Sequence, residues 1–388
     1  MSLSLSAIAK DISSIQYLAM QGDRFSQYEL ASAYYVGKGV EQNYSQALEW
    51  YKKAANQGEV ASQVSLGTIY YQGTGITQDY VQASRWYKKA ADQGEPSAQN
   101  ILGFMHEMGT GVAQDYSQAA KLYLKAANQG NALAQKNLAD LYAQGKGVEQ
   151  DHIKANLWYQ KAAMQGDATA QYNLGVNYEK GIGIAQDYIK AVEWYQRAAI
   201  QGDVLAQNNL GLMYLKGQGT SQDYRKAVEW FQKSVDQEGA LAQNNLGLMY
   251  ELGLGVPQSY TDAIRLYKKS VAQDNSGGQF SLASAYYTAH GVDQDLTKAF
   301  DLFHKSASQG NVLAQNNLGS MYENGLGVNQ DSNKAKEWYQ KAADQGNATA
   351  QSNFKLVSSK SQNMRRNETC SNGKAQGCMI SQSISSVN

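Results

Sequence analysis

Residues 203–238, with the sequence DVLAQNNLGLMYLKGQGTSQDYRKAVEWFQKSVDQE, form one copy of a 36-residue unit that fills most of this 388-residue chain. When the sequence is aligned with itself at an offset of 36 residues, whole columns coincide without an insertion. A glutamine recurs in ten successive units, at Gln21, Gln57, Gln93, Gln129, Gln165, Gln201, Gln237, Gln273, Gln309 and Gln345. A period of this length is typical of solenoids, in which small structural units stack in a row.

Two stretches of the unit have the residue spacing of amphipathic helices. Ala206, Leu210 and Met213 recur on one face of a first helix. Gly217 ends that helix, because glycine readily takes the left-handed conformation of a C-cap, and Asp223 begins a second helix as its N-cap. One such pair cannot bury its apolar faces alone, so neighbouring units must stack into a continuous core. The sequence therefore predicts an all-α solenoid of about nine helix-pair repeats.

The repeat boundaries divide the chain into a repeat array and its ends. We predict an N-terminal capping helix at 1–22, a C-terminal capping helix at 347–357 and a disordered tail at 358–388, where the periodicity is lost. The nine repeats are 23–58, 59–94, 95–130, 131–166, 167–202, 203–238, 239–274, 275–310 and 311–346. Repeats six to eight depart most from the pattern, because Glu238 and Ala289 replace glycines that end helices.

Composition and charge argue against several classes of protein. The 34 basic and 34 acidic residues are interspersed, unlike the basic surface of a nucleic-acid-binding protein. No run approaches the ~20 apolar residues that span a bilayer, and Met1–Lys10 lacks the pattern of a signal peptide. The two cysteines, Cys370 and Cys378, lie in the tail, which does not fit a disulfide scaffold. We therefore expect a cytoplasmic protein, with export without a cleavable signal peptide as the alternative. The oligomeric state is not predicted.

Residues that carry catalytic or metal chemistry form no recognisable pattern. The Gly-x-Gly loops follow helices and recur along the repeats, so helix capping explains them better than a phosphate-binding fingerprint does. The four histidines occupy unrelated columns, at His106, His152, His290 and His304. Neither they nor the tail cysteines have the spacing of a metal site or a catalytic triad. We therefore predict no enzyme activity, no cofactor and no metal.

Residues 170–202 and 314–346 match a longer motif almost completely. The motif reads Ala-Gln-x-Asn-Leu-Gly-x-x-Tyr-x-x-Gly-x-Gly-Val, then Gln-Asp-Tyr-x-Lys-Ala-x-x-Trp-Tyr-x-Lys-Ala-Ala-x-Gln-Gly, and it resembles the Sel1-like repeat family. The resemblance covers most of the chain and implies a right-handed α/α superhelix related to tetratricopeptide arrays. It also implies a non-enzymatic scaffold or adaptor for protein complexes. Some cysteine-rich members are linked to binding or hydrolysing β-lactam compounds, but this chain has no cysteine within its repeats.

Columns that vary between repeats are where a partner would be recognised. The resemblance implies that the first helix lines the concave face, and repeats six to eight carry large apolar residues in columns opposite the core face of that helix. The candidate partner-binding residues are Leu212, Leu215, Leu248, Leu252, Phe280 and Tyr287, flanked by Asn209 and Asn245. The asparagine amides could hydrogen-bond the backbone of an extended peptide. We therefore predict a protein or peptide partner bound along a concave groove.

The same residues permit other interpretations. The asparagines could brace neighbouring helices, and the apolar residues could pack onto the next repeat if the assigned helix face is rotated by about 40°. Exposed tyrosines could instead bind a glycan or a cell-wall fragment, although most of the 27 tyrosines fall in core columns. An activity like that of the β-lactam-hydrolysing proteins is the least favoured interpretation.

Overall fold

The computed structural model describes residues 11–371, and the side chains of residues 11–360. Within that range the chain forms twenty α-helices and no β-strand. They are α1 (Ile12–Met20), α2 (Arg24–Val36), α3 (Tyr44–Asn56), α4 (Val60–Gln72), α5 (Tyr80–Asp92), α6 (Pro96–Met108), α7 (Tyr116–Asn128), α8 (Ala132–Gln144), α9 (His152–Met164), α10 (Ala168–Lys180), α11 (Tyr188–Ile200), α12 (Val204–Lys216), α13 (Tyr224–Asp236), α14 (Ala240–Leu252), α15 (Tyr260–Ala272), α16 (Ser276–Thr288), α17 (Leu296–Ser308), α18 (Val312–Asn324), α19 (Ser332–Asp344) and α20 (Ala348–Ser371). Among residues 11–371 no helix combines the length and the apolar character that crossing a membrane requires.

The all-α solenoid predicted from the sequence is confirmed. Even-numbered helices from α2 to α18 are the first helices of the nine repeats, and odd-numbered helices from α3 to α19 are their second helices. Helices α1–α11 belong to one compact unit that ends at Gln201, and α12–α20 belong to another that begins at Gly202. Inside each unit a first helix packs against its own second helix and, from the other side, against the preceding second helix.

The core of each repeat contains one aromatic ring from the second helix. In the first unit Tyr123 of α7 is fully buried, and its ring lies against Gly103 of α6. A Cβ atom added at Gly103 would lie 2.8 Å from the ring, so the two helices approach closely because this side chain is missing. Phe231 and Gly211 make the same contact in the second unit. Alanine replaces this glycine in some repeats, as at Ala139, and is then fully buried.

The regular spacing of glutamines along the chain is explained by hydrogen bonds between helices. Gln99 of α6 is buried, and its amide donates to the carbonyl of Ala91 at 3.2 Å. Its oxygen accepts from the amide of Gln129 at 2.9 Å, so one side chain joins the first helix to both neighbouring second helices. The same pairing joins Gln57 to Gln27, Gln93 to Gln63, Gln165 to Gln135, Gln201 to Gln171, Gln237 to Gln207, Gln273 to Gln243, Gln309 to Gln279 and Gln345 to Gln315.

The predicted N-caps and C-caps form in the structure. Asp151 accepts a hydrogen bond from the backbone amide of Lys154 at 2.9 Å, and this bond lowers the pKa of the Asp151 carboxyl group. The first helices end at a residue in the left-handed conformation, which is glycine in most repeats but Ala289 in repeat eight, with φ of 61°. Glu238, at the end of the second helix of repeat six, also has a positive φ of 62°. The fold therefore keeps the backbone conformation where glycine is replaced, at the cost of local strain.

In repeats six to eight a serine takes the place of a buried alanine of the second helix and adds a hydrogen bond inside the second unit. Ser234, Ser270 and Ser306 replace alanine and are fully buried. Each hydroxyl donates to a backbone carbonyl of the first helix of its own repeat, at 3.0, 2.8 and 2.8 Å respectively. The buried polar group is therefore satisfied, and the substitution changes the packing of the helix pair without disrupting it.

The last helix is longer than the sequence predicts. We expected it to end at residue 357, with disorder from 358, whereas α20 continues to Ser371. Val357 is buried, and the ammonium group of Lys360 lies 3.0 Å from the carboxylate of Glu323 on α18, so contacts with the array support the helix beyond its predicted end. The rest of the predicted tail, 372–388, and residues 1–10 of the predicted N-terminal capping helix lie outside the described residues.

The second glycine of each Gly-x-Gly loop gives a testable consequence of close stacking. Gly147 has φ of 68°, and an added Cβ would lie 2.2 Å from the backbone carbon of Tyr116 in the preceding repeat. Gly130 has φ of 91°, but nothing lies within 4 Å of its Cβ position. Both Gly147→Ala and Gly130→Ala strain the backbone by about 1 kcal/mol, and only the first also forces two repeats apart.

We therefore expect Gly147→Ala to lower the free energy of unfolding by about 2 kcal/mol or more beyond the loss caused by Gly130→Ala. Urea unfolding followed by circular dichroism measures both variants. Equal losses would show that Gly147 acts through its φ alone and that the close approach to Tyr116 is unimportant.

Candidate partner-binding surface

The predicted apolar partner-binding residues divide into exposed and half-buried sets. Leu248 and Leu252, both on α14, are 36% and 62% exposed. Leu212 and Leu215 on α12 are half-buried and pack against the core cluster that contains Phe231. These two leucines therefore contribute mainly to packing within the second unit.

Phe280 and Tyr287 of α16 also pack against a core residue. Their ring centroids lie 5.7 and 6.4 Å from that of Phe303 on α17. Tyr287 and Phe303 line a small cavity of about 80 Å³ together with Asn317 and Ser320 of α18. The structure thus packs both rings against the core of their own repeat, and Tyr287 also faces repeat nine across the cavity.

Of the two predicted asparagines, Asn245 bridges neighbouring first helices and Asn209 accepts a bond within its own helix. The side-chain amide of Asn245 on α14 donates to the side-chain oxygen of Asn208 on α12 at 2.8 Å. The side-chain amide of Asn208 in turn donates to the side-chain oxygen of Asn209 at 3.1 Å. The Asn208 side chain is only 3% exposed, although a helical wheel places its column opposite the core face. The same bond between repeats joins Asn137 to Asn100 and Asn353 to Asn316. The asparagine column therefore braces the array.

A hydroxyl–carboxylate hydrogen bond accompanies the buried tyrosine in several repeats. In repeat seven the hydroxyl of Tyr267 on α15 donates to the carboxylate of Glu251 on α14. Equivalent bonds join Tyr123 to Glu107 at 2.7 Å, Tyr195 to Glu179 at 2.5 Å and Tyr339 to Glu323 at 3.0 Å. A buried hydroxyl needs such a partner, so the tyrosine fixes an acceptor on the facing first helix.

Leu215 and Tyr287 lie beside rings that need no hydrogen-bond acceptor. They occupy the column of Glu251, and the facing ring in their repeats is a phenylalanine, Phe231 or Phe303, which has no hydroxyl to satisfy. An apolar partner then packs on the ring without leaving a polar group unpaired. The ring alone does not decide this column, since Tyr71 and Ala143 occupy it opposite Tyr87 and Tyr159, whose hydroxyls bond Thr68 and Asp140 instead.

An exposed stripe remains on the first helices of repeats six and seven. Leu241, Leu248 and Leu252 of α14 are spaced by seven and eleven residues, so they lie within about 40° of one another around the helix. Leu205 of α12 shares the column of Leu241, and both are 46% exposed. We call these four residues the leucine stripe. Leu205 and Leu241 were not predicted, because the predicted residues lie nearer the C-terminal ends of their helices.

The surroundings of the leucine stripe carry little charge. Glu251 is the one charged residue of α14, and its carboxylate accepts the bond from Tyr267. The neighbouring first helix α16 has no charged residue in its sequence, and α12 has Lys216 at its end. The surface therefore favours an apolar or neutral contact over a charged one.

The histidines lie beside aromatic rings where the structure shows ring contacts. The ring centroid of His304 lies 5.7 Å from that of Trp338 and 6.1 Å from that of Phe300. The ring centroid of His290 lies 5.4 Å from that of Tyr260. Across residues 11–371 no group of three or more His, Cys, Asp or Glu side chains is placed to hold a metal ion. These contacts account for the two histidines as packing residues.

The chain is similar to known repeat proteins along most of its length. The family profile of the Sel1 repeat matches nine stretches: 24–59, 60–95, 96–131, 132–167, 168–203, 204–238, 240–275, 276–311 and 312–347. A protective antigen of uropathogenic Escherichia coli strains with an SLR fold is 30% identical, with 90% of this chain and 91% of that chain covered and a TM-score of 0.66. A Sel1 repeat protein from Oxalobacter formigenes is 32% identical over 80% of this chain and 90% of that chain, with a TM-score of 0.61. No curated protein matches the chain.

The tyrosine–carboxylate pair predicts a strong coupling between two substitutions. Glu251→Leu leaves the Tyr267 hydroxyl without its acceptor, and Tyr267→Phe leaves the carboxylate without its donor, so each should cost about 1–3 kcal/mol. The double variant reproduces the Leu215–Phe231 pair of repeat six and should recover most of the loss. A double-mutant cycle on urea unfolding measures this coupling, and strictly additive losses would contradict the pairing.

The buried tyrosines also predict a loss of stability at alkaline pH. Burial, reinforced by Glu107 or Glu251, raises the pKa of Tyr123 and Tyr267 well above the ordinary value of 10.0. Above pH 10 the unfolded chain loses these protons while the folded chain keeps them, so their stabilising contribution is present below pH 10 and falls as the pH rises. We expect the urea concentration at the unfolding midpoint to be lower at about pH 11 than at neutral pH. Part of the tyrosinate absorbance at 295 nm should appear only when the protein unfolds. Titration of every tyrosine near pH 10 in the folded protein would contradict this.

Proposed function

Because the chain belongs to the Sel1 repeat family, we propose that it is a scaffold that binds an apolar segment of a partner protein on the leucine stripe. Sel1 repeat proteins generally mediate protein–protein interactions, and the family is generally non-catalytic. The proposal adds a surface and a partner chemistry to that general role.

The observation that carries the proposal is the exposure of the leucine stripe. Leu248 and Leu252 are exposed although the fold does not require leucine there, since repeat nine has Ser320 and Asn324 in the same columns. Contiguous exposed apolar side chains on a folded protein are characteristic of interaction sites. Scattered single leucines would carry no such meaning.

The chemistry of the surface limits the kind of partner. Burying one exposed leucine side chain contributes about 1.5–3 kcal/mol, so the four residues can supply the apolar centre of an interface. Since α14 and α16 offer almost no free charge, the partner segment should present leucine, isoleucine, methionine or aromatic side chains with neutral polar neighbours.

The glycan-binding interpretation stays a prediction without a specific observation in its favour. It needs exposed aromatic faces, and the tyrosines above one third exposure are Tyr17, Tyr80 and Tyr260. Tyr80 packs against Tyr71 at 5.1 Å, and Tyr260 packs against His290 at 5.4 Å. A sugar-binding platform would present such rings side by side.

The test uses residues that the chain already has in the same columns. The variant carries Leu241→Thr, Leu248→Ser and Leu252→Asn, with Leu313→Thr on α18 as the matched control. Other repeats have these replacement residues naturally, at Thr169, Ser284 and Asn324. The repeats should therefore fold, which circular dichroism checks.

We expect a partner captured by the intact protein and identified by mass spectrometry to bind the triple variant at least about tenfold more weakly, which corresponds to a loss of 1.4 kcal/mol or more. Binding to the Leu313→Thr control should be unchanged. Equal binding of the partner to the triple variant and to the control would rule out the leucine stripe as the site.

A further inference from the structure

A second apolar surface lies on the second helices of the first unit. Ile153, Leu157 and Met164 of α9 and Ile189 and Ile200 of α11 are each between 56% and 72% exposed. We call these five residues the outer patch. Its residues belong to other helices and another unit than the leucine stripe, so the proposed function does not account for it.

The outer patch follows the geometry of a helix. Ile153, Leu157 and Met164 are spaced by four and eleven residues, which places them within about 40° around α9 and spreads them over about 16 Å along its axis. Ile189 and Ile200 occupy the same columns on α11 as Ile153 and Met164 do on α9. Both helices pack against α10, so the two sets lie on consecutive repeats.

The fold does not demand apolar residues in these columns. The corresponding residues are Ser45, Glu49 and Asn56 in α3, Ser117, Lys121 and Asn128 in α7, and Asn333, Glu337 and Asp344 in α19. Those helices have the same length and the same place in their repeats. The apolar residues of α9 and α11 therefore add an exposed surface without adding to the core, and such a surface marks an interaction site.

The two helices of the outer patch carry more cations than acids, although Lys154 and Lys190 form ion pairs with the N-cap residues Asp151 and Asp187, at 3.0 and 3.5 Å. The thirteen residues of α9 include Lys154 and Lys161 and no acidic residue, whereas α11 has Lys190, Arg197 and the single acid Glu193. The two cations outside these ion pairs, Lys161 and Arg197, are held on the helix surface by neighbouring rings. The Lys161 ammonium lies 3.9 Å from the centroid of Trp158, and the Arg197 guanidinium lies 4.7 Å from that of Trp194.

We propose that the outer patch binds an amphipathic helix of a partner protein whose apolar stripe is flanked by aspartate and glutamate. The length of the α9 stripe matches about three turns of the bound helix, whose apolar residues would follow i, i+4 and i+7 or i+11 spacing. Acidic residues on its edges would meet Lys161 and Arg197. Glu193 takes the place of Leu157 on α11, so the bound helix is expected to lie mainly along α9.

The test compares two synthetic amphipathic peptides that share one leucine stripe and carry either glutamate or lysine on its flanks. Binding of each fluorescein-labelled peptide to the full chain is measured by fluorescence anisotropy. The patch variant carries Ile153→Thr, Leu157→Glu and Met164→Asn, which are the residues that other repeats have in the same columns, at Thr261, Glu49 and Asn56. The charge variant carries Lys161→Gln and Arg197→Gln.

We expect the intact protein to bind the acidic peptide at least about tenfold more tightly than the basic peptide. The patch variant should bind the acidic peptide at least about tenfold more weakly than the intact protein does. The charge variant should weaken the acidic peptide alone and reduce the dependence of its binding on salt. The triple variant of the leucine stripe should bind the acidic peptide as the intact protein does, which separates this test from that of the proposed function.

Several results would overturn the proposal. Equal binding of the acidic and the basic peptide to the intact protein would show that charge complementarity plays no part. Equal binding of the acidic peptide to the intact protein and to the patch variant would place the site elsewhere. Binding of the intact protein to phosphatidylserine vesicles but not to the acidic peptide would identify a membrane-facing surface instead. A dimer of the intact protein that becomes a monomer in the patch variant, measured by light scattering, would assign the patch to a second copy of this chain.

Discussion

The contact between one buried aromatic ring of each second helix and the facing first helix is the constraint on which the rest of the structure depends. The ring fits because the facing column holds glycine or alanine, as at Gly103 opposite Tyr123. An insertion in either helix would move the ring away from that column, and the 36-residue period is kept without one. A tyrosine ring also needs a partner for its hydroxyl, and the facing first helix supplies it from one of two columns, as Glu107 does for Tyr123 and Asp140 does for Tyr159.

The same constraint decides which surface residues are free to recognise a partner. Where the ring is Phe231 or Phe303, Leu215 or Tyr287 occupies the column of Glu251 and packs on the ring. Columns outside that contact, such as those of Leu252 and Ile153, can change between repeats with little effect on the core, because stability is roughly a sum over repeats and their interfaces. The leucine stripe has almost no neighbouring charge, whereas the outer patch has cations beside it, so the two surfaces suit partners of different chemistry.

The helices, their caps and the solenoid could be predicted from the sequence because each column repeats nine times and every copy supports the same assignment. The candidate site was predicted less well, because exposure depends on rotations of about 40° that a helical wheel does not resolve. Asn208 illustrates this, since it faces the next first helix and is buried by its bond with Asn245. The length of α20 depends on contacts such as that between Lys360 and Glu323, which join distant parts of the chain and leave no local pattern.

The central claim is that exposed apolar residues in columns that are polar in most other repeats, such as Leu252, recognise partners, while the ring contacts hold the array together. Site-specific photocrosslinking tests it most directly, with a photoreactive amino acid placed at Leu252 and, in a second protein, at Asn324 in the same column of repeat nine. The account predicts that a partner protein is crosslinked from position 252 and not from 324. Crosslinking of the same partner from both positions, or from 324 alone, would contradict it.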